Sequence, residues 1–281
     1  MNAIEVRGIS QSFLQKEVLN SISFEIQKGE IFGLLGPSGA GKTTLINIII
    51  GQIKPNNGKT FVLGKNSLEL SRKDYTQLGL VLDQLGLYER LSCMDNLQLY
   101  ASLYQLEKSK IEEALKYVQL FDDRKKTVNE LSKGMKQRLI IARAIMHHPQ
   151  VLFLDEPTSG LDPATTLKIH ELLLELKKQG TAIFLTTHNM EEASSLCDRV
   201  ALLNEGHIIE CDTPADICSR YNQLNTVTIT TKDHHQYTIQ NNKENAKVLF
   251  EEMQAENILS IHSSEPTLGS VFISLTGREL I

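Results

Sequence analysis

The stretch Gly36 to Thr44, GPSGAGKTT, constrains this chain more than any other. It follows the spacing G-x-x-x-x-G-K-[ST], with Gly36, Gly41, Lys42 and Thr43 in the defining places. The apolar run Ile31-Phe32-Gly33-Leu34-Leu35 before it has the length of a buried strand, and Leu45-Ile46-Asn47-Ile48-Ile49-Ile50 after it can continue as a helix. Strand, glycine-rich turn and helix start form the context that a phosphate-binding loop needs. Glycine admits positive φ, so in the loop Gly36-Pro37-Ser38-Gly39-Ala40-Gly41 the successive N–H groups from Ser38 onward can turn inward around an anion. The helix adds its unpaired N–H groups and the positive end of its dipole. Lys42 can reach β- and γ-phosphates, and the Thr43 hydroxyl can ligate Mg²⁺.

A second apolar run, Val151-Leu152-Phe153-Leu154, closes on Asp155 and Glu156. Continuous apolar character predicts a strand buried on both faces. Ligands of open α/β sheets bind beyond the carboxyl ends of the strands, which would bring the two carboxylates beside the phosphate loop. Strand alternation sends them in different directions: one can hold Mg²⁺ through its water shell while the other faces an attacking water. Taken alone, the pattern also fits a strand ending in a solvated acidic turn. Ala182 to Thr187 is the next buried strand, with His188 at its end, placed either to meet a γ-phosphate or water or to serve structure. Ser132 and Gly134 sit where a helix begins, as a second anion site or a plain N-cap. Phe13 can stack on an adenine base or belong to the core.

Around these landmarks the chain alternates strands and helices, with one interruption. From Leu87 to Leu120 the apolar spacing turns helical, through Leu97, Tyr100, Ala101 and Tyr104 and then Ile111, Leu115 and Val118. This block has the character of an inserted subdomain. Ser159-Gly160-Leu161-Asp162-Pro163 turns into a helix over Ala164 to Lys178, which Gly180 ends. His147, His148, His234 and His235 lack metal-ligand partners and are expected on surface loops. From Tyr221 a β-α-β-α texture predicts a small appended domain.

A net charge of −5 argues against general nucleic-acid binding. Four cysteines without CxxC or zinc spacing are expected to be reduced thiols of a cytosolic protein. The N-terminus alternates like a strand rather than a signal sequence, and no run of about 18 apolar residues is present to span a bilayer.

The order of phosphate loop, helical insertion, Leu131-Ser132-Lys133-Gly134-Met135, the strand ending in Asp155-Glu156, Ser159-Gly160-Leu161-Asp162 and Thr187-His188 resembles the ATP-binding subunits of ABC transporters over residues 1–220. The resemblance implies an α/β P-loop NTPase fold. A RecA-like core sheet would carry an N-terminal antiparallel β subdomain and an inserted helical subdomain near residues 85–145, with an α+β accessory domain at 221–281. It implies that Phe13 stacks on adenine, that Gly36 to Thr44 cradles ATP, that Thr43 and Asp155 hold Mg²⁺, and that Glu156 polarises the hydrolytic water. His188 would hold the γ-phosphate and Asp162 would couple two sites. Ser132 and Gly134 would close on ATP bound to a second copy of the chain, head to tail. A separate transmembrane permease would be the other partner, at the cytoplasmic face of the membrane.

Three positions depart from the family pattern. Lys133 and Met135 alter the usual Leu-Ser-Gly-Gly-Gln, Phe13 replaces the commoner Tyr, and Asp83 stands where a Mg²⁺-sensing glutamine is usual, with Gln84 one residue later. The ending Glu265-Pro266-Thr267-Leu268, Val271-Phe272 and Leu275-Thr276-Gly277-Arg278-Glu279-Leu280 resembles ATPases paired with ABC-2 type exporters of drugs, antimicrobial peptides, lipids or polysaccharides. The competing expectation is a non-transport ABC ATPase acting on ribosomes or DNA, though such members carry paired cassettes or long coiled-coil insertions.

Overall fold

A computed structural model describes residues 2–14, 16–82, 86–222 and 226–277. Two compact units divide the chain, one over residues 1–213 and the other beginning at Pro214. The first opens with long strands β1 (Asn2–Phe13) and β2 (Lys16–Gln27), then β3 (Ile31–Leu35) and helix α1 (Lys42–Ile49). Strands β4 (Asn57–Val62) and β5 (Lys65–Asn66), the short α2 (Arg72–Tyr75) and β6 (Leu78–Val81) follow. Next come three helices, α3 (Cys93–Tyr104), α4 (Lys108–Tyr117) and α5 (Lys133–Ile145). The unit ends with β7 (Val151–Asp155), α6 (Pro163–Lys178), β8 (Ala182–Thr187), α7 (Met190–Leu196), β9 (Arg199–Asn204) and β10 (His207–Asp212).

Among the described residues these strands form two sheets. A mixed sheet runs β10-β9-β3-β8-β7-β6, parallel throughout except for the antiparallel pairing of β10 with β9. An antiparallel sheet runs β2-β1-β4-β5. Strands β3, β7 and β8 are buried at every position, as continuous apolar runs require. The expectation of a P-loop NTPase fold with an antiparallel β subdomain and a helical insertion is met. The insertion is the cluster of α3, α4 and α5, which pack on one another between β6 and β7.

One core joins the two sheets. The inward residues of β1 and β2, including Ile4, Val6, Ile9, Ile22 and Ile26, pack in one cluster with Leu45, Ile46, Ile48 and Ile49 of α1 and with Phe32, Phe153 and Phe184. Phe24 of β2, Phe32 of β3 and Phe184 of β8 stack, with centroids 4.9 Å apart for Phe24–Phe32 and 5.9 Å for Phe24–Phe184. Such pairs add to area burial through their ring quadrupoles.

In the second unit α8 (Pro214–Arg220), β11 (Thr226–Thr231), β12 (Gln236–Gln240), α9 (Ala246–Gln254), β13 (Ile258–Ser263) and α10 (Leu268–Thr276) form an antiparallel sheet β12-β11-β13 with helices, α8 packing on α10. Strand β12 was not anticipated, because Tyr237 and Ile239 are its only apolar residues. They face Ile229 and Val227 of β11 across the ladder, so pairing rather than a local pattern defines the strand. The region between His188 and Tyr221 also held unforeseen strands, β9 and β10.

All four cysteines are free thiols, and burial raises Cys93 to about 11 and drives Cys197 upward as well. His147 corrects the expectation of a surface loop. It is half-buried, its ring stacks on Tyr104 at 4.4 Å, and its Nε2 lies 3.0 Å from the Leu78 carbonyl.

Phe184→Ala removes the ring shared by the stacked set and should cost about 3–5 kcal/mol. Urea denaturation of the full chain, followed by circular dichroism, should show the first transition at lower urea.

Candidate functional site

Parallel pairing of β3 with β8 and of β8 with β7 sets the carboxyl ends of three strands on one edge. The phosphate loop leaves β3, Asp155 and Glu156 end β7, and His188 follows β8. Residues separated by more than a hundred positions therefore converge. Thr43 Oγ1 donates to Asp155 Oδ2 at 2.8 Å, and Thr186 Oγ1 donates to Asp155 Oδ1. The His188 Nδ1 atom lies 3.0 Å from Glu156 Oε2. Lys42 Nζ donates to the carbonyls of Gly36 at 2.7 Å and Pro37 at 3.1 Å, and is 3.5 Å from Glu156 Oε1. Glu156 itself has φ +48°, the left-handed region. Its N–H is held by the Thr186 carbonyl at 3.1 Å.

A cleft of 560 Å³ opens at this edge, to which the loop contributes Ser38, Gly39, Gly41, Lys42, Thr43 and Thr44. Asp155 and Glu156 form part of its wall. Gly36 and Gly41 serve close approach rather than freedom alone. A Cβ on Gly36 would sit 2.4 Å from the Leu203 carbonyl of β9, and one on Gly41 would sit 2.8 Å from Leu19 Cδ2. Ala40 is buried, its N–H donating to Pro37 O at 3.2 Å. The donor set fits a hard divalent cation: a hydroxyl and a carboxylate, both oxygen, side by side at the start of the loop helix.

Other expected residues lie elsewhere. Phe13 ends β1, is 46% exposed, and does not line the cleft, whereas Val18 of β2 does. Ser132 caps α5, its hydroxyl accepting from the Met135 N–H at 3.2 Å. Gly134 is buried so closely on α6 that a Cβ would meet Thr165 at 2.7 Å. Asp162 caps α6, accepting from the Thr165 N–H at 3.0 Å and the Thr165 hydroxyl at 2.7 Å, and these bonds lower its pKa. Asp83 and Gln84 lie outside the described residues.

Leu82, Lys133, Gln137 and Ser159 also line the cleft, none of them anticipated. The Lys133 side chain crosses Gly160, where a Cβ would lie 2.4 Å from its Nζ. A lysine beside a capping serine has no spacing that marks it for an anion, so only the folded approach of two loops reveals it.

Fold and site together define a P-loop nucleotide-binding protein. The sequence profile of the ABC transporter family matches residues 19–159, and the chain belongs to that family. Similar proteins include a fluoroquinolones export ATP-binding protein of Mycobacterium tuberculosis, 35% identical over 99% of this chain and 94% of the relative. The linearmycin resistance ATP-binding protein LnrL of Bacillus subtilis is 32% identical over 99% of each chain. The Nod factor export ATP-binding protein I of Rhizobium johnstonii is 35% identical over 99% of this chain and 96% of the relative. Among solved structures, an ATP-binding subunit of an ABC transporter matches with a TM-score of 0.71 and 30% identity, covering 78% of this chain and 93% of that one. A nucleotide-free ATP-binding cassette at 23% identity and TM-score 0.68, over 75% of this chain and 91% of that one, shares the fold. The chain is thus an ATP-binding protein and an ATPase.

Gly41→Ala places a Cβ at φ +108° against Leu19 and the Val18 carbonyl. Strain of order 1–3 kcal/mol should weaken ATP binding roughly 5- to 150-fold, as isothermal titration with ATP would read.

Proposed function

We propose that this chain is the ATP-hydrolysing motor subunit of an ABC exporter, acting on a separate transmembrane permease at the cytoplasmic face of the membrane. The observation that carries the catalytic part is the 3.0 Å contact of His188 Nδ1 with Glu156, a residue of the phosphate-loop cleft wall. Lys42 and the loop N–H groups bind the β- and γ-phosphates; Thr43 and Asp155 would hold Mg²⁺, which would supply neutralisation of phosphate charge. Glu156 takes the proton of the attacking water, and His188 orients Glu156 and the γ-phosphate. Phe13, which closes β1 five residues before the cleft-lining Val18, covers the base.

Ser132, Gly134 and Asp162 act across an interface with a second copy, so that two ATP molecules are held head to tail. Ser132 and Asp162 occupy helix starts, where N–H groups and the dipole favour anions. Residues 221–281 are an accessory domain.

The permease contact falls to the helical cluster. Among its exposed apolar residues are Leu99 and Leu103, one turn apart on α3, and Tyr88 just before it. Among the described residues no helix is long and apolar enough to cross a membrane. The relatives' names cite fluoroquinolones, linearmycin and Nod factor, chemically unlike cargoes, which supports assigning cargo choice to the permease.

Glu156→Gln should keep ATP affinity, lower turnover at least about 100-fold and trap an ATP-bound dimer on gel filtration. Parental turnover would remove Glu156 from the role of base. Affinity purification from native membranes should recover the chain with a multi-span protein; recovery with ribosomes or nucleoid alone would overturn the exporter reading.

A further inference from the structure

Behind the cleft lies a buried polar cluster that the hydrolytic groups do not include. Glu192, on α7, is 5% exposed and accepts hydrogen bonds from three directions. Its Oε1 accepts from the Thr158 hydroxyl at 2.5 Å and lies 2.9 Å from His170 Nε2 of α6. Its Oε2 accepts from the Thr187 hydroxyl at 2.9 Å. The backbone completes the arrangement: Asn189 N–H donates to Thr187 Oγ1 at 3.0 Å, and Glu192 N–H donates to Asn189 Oδ1 at 3.0 Å.

The partners are informative. Thr158 lies two residues beyond Glu156, and Thr187 immediately precedes His188. A single side chain therefore grips the chain on both sides of the Glu156–His188 contact. We propose that Glu192 is a positioning residue for hydrolysis, tying the turn after Glu156 to the strand end before His188 and so fixing the geometry of that pair. The proposal rests on the roles given to Glu156 and His188 above.

A carboxylate suits the task because it accepts at both oxygens at once, whereas an amide accepts at one and donates at the other. Burial opposes its ionisation, yet the bonds from His170, Thr158 and Thr187 hold its pKa below the usual carboxylate range. Restraint is needed at this place. Glu156 has φ +48°, a conformation that persists in a non-glycine residue only when its surroundings impose it. Direct bonds from the Glu156 N–H to Thr186 fix one side of that residue; the Glu192–Thr158 bond fixes the other.

The test uses the purified full-length chain, with ATP turnover, ATP affinity and thermal midpoint measured for each variant. Glu192→Ala should lower kcat at least about tenfold with KM and ATP Kd within about threefold, since a small misplacement of reacting groups costs rate rather than binding. Glu192→Gln keeps an acceptor for Thr158 and His170 but loses the one for Thr187, so its kcat should lie between those of Glu192→Ala and the parent. Thr158→Val removes only the link to the turn; kcat should fall about three- to tenfold at an unchanged thermal midpoint, and this variant decides if Glu192→Ala does not fold. Parental kcat in Thr158→Val, or an equal fall of kcat and ATP affinity in Glu192→Ala, would overturn the proposal. Glu156→Gln measured alongside separates the two readings: parental turnover there would strike the role of Glu156 itself, while a dead Glu156→Gln beside an unaffected Thr158→Val would strike only Glu192.

Discussion

The carboxylate of Asp155 is the joint on which the site depends. Buried at the end of β7, it accepts from Thr43 at the first turn of α1 on one oxygen and from Thr186 of β8 on the other. A buried carboxylate is costly unless its lone pairs are met, so these donors are held in register as strictly as Asp155 is. The bond to Thr43 links the phosphate loop to the strand bearing Glu156. The bond to Thr186 links that strand to the one bearing His188. Chemistry distributed over three separated segments becomes one constellation through a single side chain.

That joint works only because the sheet places its partners next to each other. Strand β8 lies between β3 and β7, although it comes last of the three in the chain. The crossover helices of such a sheet require long connections, and here they include the helical cluster. Gly36 lets the loop pass under the Leu203 carbonyl of β9, so the outer strands also set the loop's height. The site is thus a property of sheet order, and local sequence supplies only its components.

The components were legible wherever a pattern was short and chemically loaded. The phosphate loop, the Asp155-Glu156 strand end, His188 after its strand and the α6 start at Pro163 follow from apolar runs, glycine and capping chemistry. What lay hidden depends on tertiary approach. Val18 and Leu82 reach the cleft from segments without an anion-binding pattern, Lys133 and Gln137 from a helix start whose neighbours Ser132 and Gly134 were singled out instead, and Glu192 reads in sequence as an ordinary helical acid. Strand β12 has two apolar residues and is defined by its neighbour. Phe13 is a different case: its ring is half-exposed and is not among the residues lining the cleft, so its stacking role rests on the family resemblance alone.

The stacked rings of Phe24, Phe32 and Phe184 have a mechanical consequence. They rivet the antiparallel sheet to the parallel one within a single close-packed interior, and such interiors transmit displacement rather than absorb it. The front sheet therefore cannot act as an independently swinging flap over the phosphate loop. A displacement of the phosphate loop is therefore passed to both sheets together.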